Sequence, residues 1–179
     1  MKLAILDRDG VINHDSEHYI KSPEEWVALP GSLEAIARLS RAGWRVVVAS
    51  NQSGLARGLF TMETLNAIHA KLRKEVAAAG GSIDAIFICP HGPDEGCACR
   101  KPKPGLFLDI GQRYDAELRD VPAAGDSLRD LQAASAAGCA PWLVLTGNGR
   151  KTWDKGDLPA GTQVVEDLAT AVDAWLQEA

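Results

Sequence analysis

The chain has no apolar run long enough to cross a membrane as a helix, and no excess of positive charge. Its 19 Lys and Arg residues face 24 Asp and Glu, for a formal net charge of −5. That balance argues against a broad nucleic-acid-binding surface and leaves room only for a local basic pocket. Ahead of Asp7 lies only the apolar stretch "LAIL" (3–6), too short for a secretory signal core, so a cytoplasmic location is expected. Low-complexity tracts, internal repeats and linkers are missing too. The 179 residues suffice for one full core, and a single domain over 1–179 is expected. Cysteine is scarce: four residues, three of them within eleven positions of one another. In a cytoplasmic chain such clustering points to metal ligands or reactive thiols rather than disulfides.

What is present is alternation. "LAIL" (3–6), "WRVVVAS" (44–50), "AIFIC" (85–89), "VPAAG" (121–125) and "WLVL" (142–145) are short and apolar throughout, as parallel strands buried on both faces must be. Between them run segments with helical spacing and helical punctuation. "TMETLNAIHAKLRKEVAAAGG" places Leu65, Ile68, Leu72 and Val76 on one face behind a Thr61 cap and stops at Gly80-Gly81. "PGSLEAIARLSRAG", "SLRDLQAASAAG" and the C-terminal "EDLATAVDAWLQEA" read likewise. The pattern predicts a doubly wound α/β fold with a mainly parallel sheet. In such sheets chemistry collects at the carboxyl ends of the strands, so the residues there are the ones to weigh.

"LAILDRDG" leads the first strand into Asp7 and Asp9, which project to the same side, with Arg8 pointing away. Two adjacent carboxylates favour a bound cation or a shared proton, although an Asp-Gly turn alone would explain the motif as well. "AAGDSLRDL" adds Asp126 at another strand end, free to cap a helix, to bind magnesium, or both, with Asp130 one turn on. Ser50, in "VVVASNQSG", offers a hydroxyl and following amides to a phosphoryl oxygen, and Lys101 offers a point charge.

Cys89, His91, Cys97 and Cys99 make a C-x-H-x5-C-x-C set that saturates a zinc ion and leaves no position for substrate. They read as a structural clip that presents Arg100 and Lys101. Cys139 reads as a core residue, "TGNGRKT" (146–152) as a plain turn, and His14 and His18 as surface histidines.

In chain order, "DRDG", "ASNQ", "RKPKPG" and "GDSLRD" resemble the four motifs of the haloacid dehalogenase superfamily of phosphatases. The resemblance spans nearly the whole chain and implies a Rossmann-like fold, here without a cap domain. It implies Asp7 as nucleophile and Asp9 as general acid/base. Ser50 and Asn51 become the phosphoryl-binding pair and Lys101 the charge stabiliser. Magnesium falls to Asp7, Asp9 and Asp126, and Asp130 orients the metal shell. The zinc loop is similar to that of the subfamily containing the heptose 1,7-bisphosphate and histidinol-phosphate phosphatases. "NQSGLARGLF" and "CRKPKPG" resemble the former, an activity that serves lipopolysaccharide core precursor synthesis. That likeness implies substrate contacts from Asp15, His18, Tyr19, Asn51, Gln52, Ser53, Gly54, Arg57, Arg100 and Lys101. A sugar bisphosphate handled by a monomer is the expected partner, of either anomer. Histidinol phosphate, or a non-enzymatic zinc-stabilised binding module, are the alternatives.

Overall fold

In the computed structural model, which describes residues 1–177, one sheet of six parallel strands runs in the order β3-β2-β1-β4-β5-β6. The strands are β1 (Leu3–Leu6), β2 (Arg45–Asn51), β3 (Ala85–Cys89), β4 (Pro122–Gly125), β5 (Ala140–Val144) and β6 (Gln163–Val165). The helices are α1 (Ser32–Arg41), α2 (Met62–Ala78), α3 (Gly105–Tyr114), α4 (Leu128–Ala136), α5 (Gly149–Lys155) and α6 (Leu168–Gln177). Five strands match the apolar runs within about two residues, the usual scatter of element ends. Pro122 is tolerated because it opens β4, where the ladder needs no donor from it.

The apolar strands are explained by helices on both faces. Leu6, Val46 and Val48 pack with Trp26, Ile36, Ile68 and Trp175, under α1, α2 and α6. Leu3, Ile5, Val47 and Ala49 face the other way, against Leu106, Phe107, Ile110 and Ala133 of α3 and α4. Each fully buried side chain of this kind contributes about 1.5–3 kcal/mol, so the paired cores outweigh any single polar contact in the fold. α2 buries Leu65, Ile68, Leu72 and Val76, the face expected, and Thr61 caps it through Oγ1, which accepts from Thr64 N at 3.2 Å.

Three elements differ from expectation. β6 is three residues long, too short to show a period. α3 begins on Gly105 with no side-chain cap, so nothing in its first turn announces it. The stretch read as a plain turn after β5 becomes α5, entered from Asn148. Among the described residues no helix is long and apolar enough to cross a membrane.

The strand order reverses between β1 and β4, which pair directly with each other. A crevice opens outside the carboxyl ends of strands at such a switch point. Asp7 follows β1 and Asp126 follows β4, so the topology brings these two carboxylates to the crevice.

Candidate active site and metal centres

The crevice is a cavity of about 300 Å³ whose floor carries Asp7, Asp9, Lys101, Asp126 and Asp130. Lys101 is 2% exposed; its ammonium donates to Ala49 O at 2.8 Å and Asp7 Oδ1 at 3.1 Å and forms an ion pair with Asp130 Oδ1 at 2.7 Å. Two hydrogen bonds and one ion pair therefore fix the ammonium, and the charge is aimed rather than solvated. Its backbone is pinned to β2: Lys101 N donates to Asn51 Oδ1, and Asn51 Nδ2 donates back to Lys101 O, both at 3.1 Å.

Three carboxylates against one ammonium leave a surplus of negative charge. Burial first, then the Asp130 charge, push Asp7 up to about 7, with Lys101 opposing. Burial and the charges of Asp130 and Asp7 push Asp126 up to about 9. Burial acts the same way on Asp130, but Lys101 and the Ser127 hydroxyl outweigh it and hold that carboxyl below its usual range. Two buried carboxyls that resist ionisation side by side form a site suited to a hard divalent cation.

Asp7, Asp126 and Asp130 each bring a carboxylate oxygen within 4.8 Å of the others. Asp130 is near, yet its oxygens are engaged: Oδ1 by Lys101, and Oδ2 by Asp126 N (3.2 Å), Ser127 N (3.1 Å) and Ser127 Oγ (2.8 Å). Asp7 and Asp126 are the pair left to face a metal. The Asp9 carboxylate is not in this group, because Arg8, Asn13 and Gln52 take up its oxygens. Asp126 does not cap α4 either. Ser127 does, in a capping box with Asp130.

Backbone geometry keeps the cleft open. Gly10 and Gly147, with φ of 83° and 56°, lie so close to Asp126 that a Cβ on either would collide with its Oδ2. Asn148 lies in the same loop as Gly147. It donates to Asp126 Oδ2 through its backbone N at 2.9 Å, and to Asp15 Oδ2 through Nδ2 at 2.8 Å. Sequence reasoning missed Asn148, and the glycines flanking it were its only signal. Arg129, beside Asp130 on α4, was missed as well and lines the cavity.

Of the expected substrate contacts, Asp15, Tyr19, Asn51, Gln52, Ser53, Arg57, Arg100 and Lys101 line the cavity. The Arg57 guanidinium lies 5.9 Å from the Tyr19 ring centroid, which ties the 15–19 loop to the segment after β2. Three expected residues lie elsewhere. Ser50 is 1% exposed beneath the wall, where its Oγ accepts from Gln52 Nε2 at 2.8 Å. Gly54 has no side chain to offer and backs onto Phe60. His18 lines a separate outer hollow with His14 and Val27.

Beside the cavity stands the cysteine cluster. Cys89 Sγ lies 3.7 Å from Cys97 Sγ, 3.6 Å from His91 Nδ1 and 3.0 Å from Cys99 Sγ, and Cys99 Sγ lies 3.4 Å from His91 Nδ1. Bonds of about 2.0–2.3 Å to a tetrahedral zinc imply ligand separations of roughly 3.5–3.8 Å, so the four residues fit that ion with a small adjustment. All four cysteines of the chain are free thiols, and burial pushes Cys139 up to about 12, as for an inert core residue.

Comparison with known proteins agrees with this layout. A family model described as polynucleotide kinase 3 phosphatase matches residues 2–127, and one described as HAD-hydrolase-like matches residues 98–171. The D-glycero-beta-D-manno-heptose-1,7-bisphosphate 7-phosphatase of Bordetella bronchiseptica is 68% identical over 179 residues, covering 100% of both chains. The protein of the same name from Pseudomonas aeruginosa is 55% identical, covering 98% of each. A crystal structure of D,D-heptose 1,7-bisphosphate phosphatase from B. bronchiseptica, complexed with magnesium and phosphate, superposes with a TM-score of 0.99 at 68% identity and full coverage of both chains. With a parallel sheet whose β1 and β4 ends converge on one acidic crevice, and with relatives this similar over its whole length, the chain belongs to the haloacid dehalogenase superfamily of phosphatases.

Proposed function

We propose that the protein removes the 7-phosphate of D-glycero-D-manno-heptose 1,7-bisphosphate, as a single capless domain over 1–179, acting as a monomer in the cytoplasm. One observation carries the reading. A single small cavity places Asp7, Asp9 and Lys101 on its floor and Arg57, Arg100 and Arg129 on its wall. The floor suits the phosphoryl group transferred, and three guanidinium groups suit a second anion on the same substrate. Histidinol phosphate has a cationic amine where that second anion would be, and fits this wall less well. The names of the relatives favour the beta anomer.

The chemistry follows from the placement. Asp7 attacks phosphorus, the ester P–O bond breaks, and Asp9 gives its proton to the leaving sugar oxygen. Water then attacks the aspartyl-phosphate on Asp7, losing its proton to Asp9, and orthophosphate leaves. Lys101, fixed by Asp130 and Ala49 O, holds positive charge beside Asp7 throughout and screens the approach of one anion to another. Magnesium held by Asp7 and Asp126 would add charge stabilisation at the same phosphoryl oxygens. Asn51, through its paired bonds to Lys101, positions that cation from the end of β2. The zinc loop stiffens the segment carrying Arg100 and Lys101.

Phosphate release should be measured from both heptose 1,7-bisphosphate anomers and from histidinol phosphate, with magnesium and with chelator. The reading expects magnesium-dependent release, fastest from a heptose bisphosphate. Preference for histidinol phosphate would overturn the substrate, and release unaffected by chelator would overturn the mechanism.

A further inference from the structure

Arg8 does not point away from the carboxylates to a free position. It is wholly buried, and its guanidinium folds back on its neighbour Asp9. Nε donates to Asp9 Oδ1 at 3.0 Å and Nη2 to Oδ2 at 3.2 Å, with Nη2 2.9 Å from Oδ1. Asn13 Nδ2 at 2.9 Å and Gln52 Nε2 at 3.3 Å complete the carboxylate's partners. The other arm of the guanidinium, Nη1, meets Nε2 of His69 on α2 at 3.1 Å.

The donor count decides what that last contact is. A guanidinium stays protonated and has only N–H groups to offer, so His69 Nε2 must accept. The imidazole is then neutral, with its proton on Nδ1. Burial and the Arg8 charge, which push His69 down to about 4, agree with that form. A helix outside the cavity thus holds the far end of a rigid His69–Arg8–Asp9 line.

We infer that His69 is a positioning residue for phosphoryl transfer: it fixes the Arg8 guanidinium, which in turn orients the Asp9 carboxyl toward the leaving oxygen. The inference rests on Asp9 acting as the acid proposed above. His69 and Arg8 exchange no proton, since the proton passes only from Asp9 to the departing oxygen as the P–O bond breaks. Their contribution is orientation, and orientation matters only when the leaving group needs that proton. A sugar alkoxide needs it, and a nitrophenolate does not.

That difference supplies the test. His69→Leu removes the acceptor, whereas His69→Gln can supply an amide oxygen to Arg8. For each, kcat/KM is measured on heptose bisphosphate and on para-nitrophenyl phosphate, a parameter that reports steps up to phosphoryl transfer. On the sugar substrate His69→Leu should lose about tenfold or more, a part of the roughly 10²–10⁴-fold that general-acid catalysis supplies, mainly in kcat. On the aryl substrate it should lose far less, and His69→Gln should recover most of the sugar activity. His69→Ala serves the same comparison if the leucine variant does not fold. Equal losses on both substrates, or no loss on the sugar, would overturn the inference. Asp9→Asn, run in parallel, separates the two readings. If it shows no leaving-group preference, Asp9 is not the acid. If it shows one and His69→Leu does not, only the role of His69 is refuted.

Discussion

Asn51 and Lys101, fifty residues apart, hold each other by two reciprocal hydrogen bonds of 3.1 Å between the amide side chain and the lysine backbone. This pair joins the end of β2 to the loop that leaves the cysteine cluster. It sets where the Lys101 ammonium can point. Asn51→Ala leaves both backbone groups of Lys101 unpaired in a part-buried setting. We expect a loss of about 1–3 kcal/mol in denaturant unfolding, together with a fall in kcat/KM. Unchanged activity would mean that Asp130 and Ala49 O suffice to aim the lysine.

Asp7→Asn should abolish turnover while leaving the fold and the zinc intact. The amide is nearly isosteric and lacks the nucleophilic oxygen anion. Lys101 keeps Asp130 and Ala49 O as partners. The check is phosphate release by a preparation shown free of wild-type enzyme, where sustained turnover would refute covalent catalysis through Asp7.

Stripping zinc should lower thermal stability and activity together, because four ligands lose their common tie next to Lys101. Elemental analysis of protein purified without chelators should find close to one zinc per chain. Absence of zinc from such a preparation would refute the clip.

The carboxyl pair predicts how magnesium and pH interact. Asp7 and Asp126 are raised from 3.8 to about 7 and about 9 in the folded, metal-free protein. The folded state therefore binds protons more tightly than the unfolded chain. The stability these groups contribute is full below 3.8 and is lost as pH rises through 7 and 9. Magnesium must displace those protons, so it binds more weakly at low pH. Melting scans with and without magnesium should show its stabilisation growing from pH 5.5 to 8.5, and a constant difference would contradict the assignment of both carboxylates to the metal.

Arg100 should distinguish bisphosphate from monophosphate. It lines the cavity and is braced by a 3.3 Å bond from Nη1 to His91 O, one of the cysteine-cluster residues. Arg100→Ala should cost about 1.5–3 kcal/mol in kcat/KM for a bisphosphate, as for a charged hydrogen bond, and far less for a monophosphate. Equal losses would place Arg100 on the transferred phosphoryl group.

Much of this protein was legible in the residue order alone. Apolar runs ending in Asp7, Ser50, Cys89 and Asp126 set both the strands and the polar groups at their ends, because hydrophobic periodicity and strand termination are local properties. The C-x-H-x5-C-x-C spacing was as plain, since the four ligands lie close in the chain. Other features had no local signature. Asn148 is exposed as a ligand of Asp126 only because β4 and β5 are neighbours in the sheet. Ser50 sits under Gln52 rather than on the cavity wall, and Arg8 turns back to Asp9 and His69, because of what packs above and behind them. Which carboxylate faces Lys101 and which faces Arg8 depended on strand order and on a helix sixty residues away. The chain therefore specified which groups arrive at the strand ends. Their partners were decided by packing across the sheet, where charge pairing and burial act through space and not along the sequence.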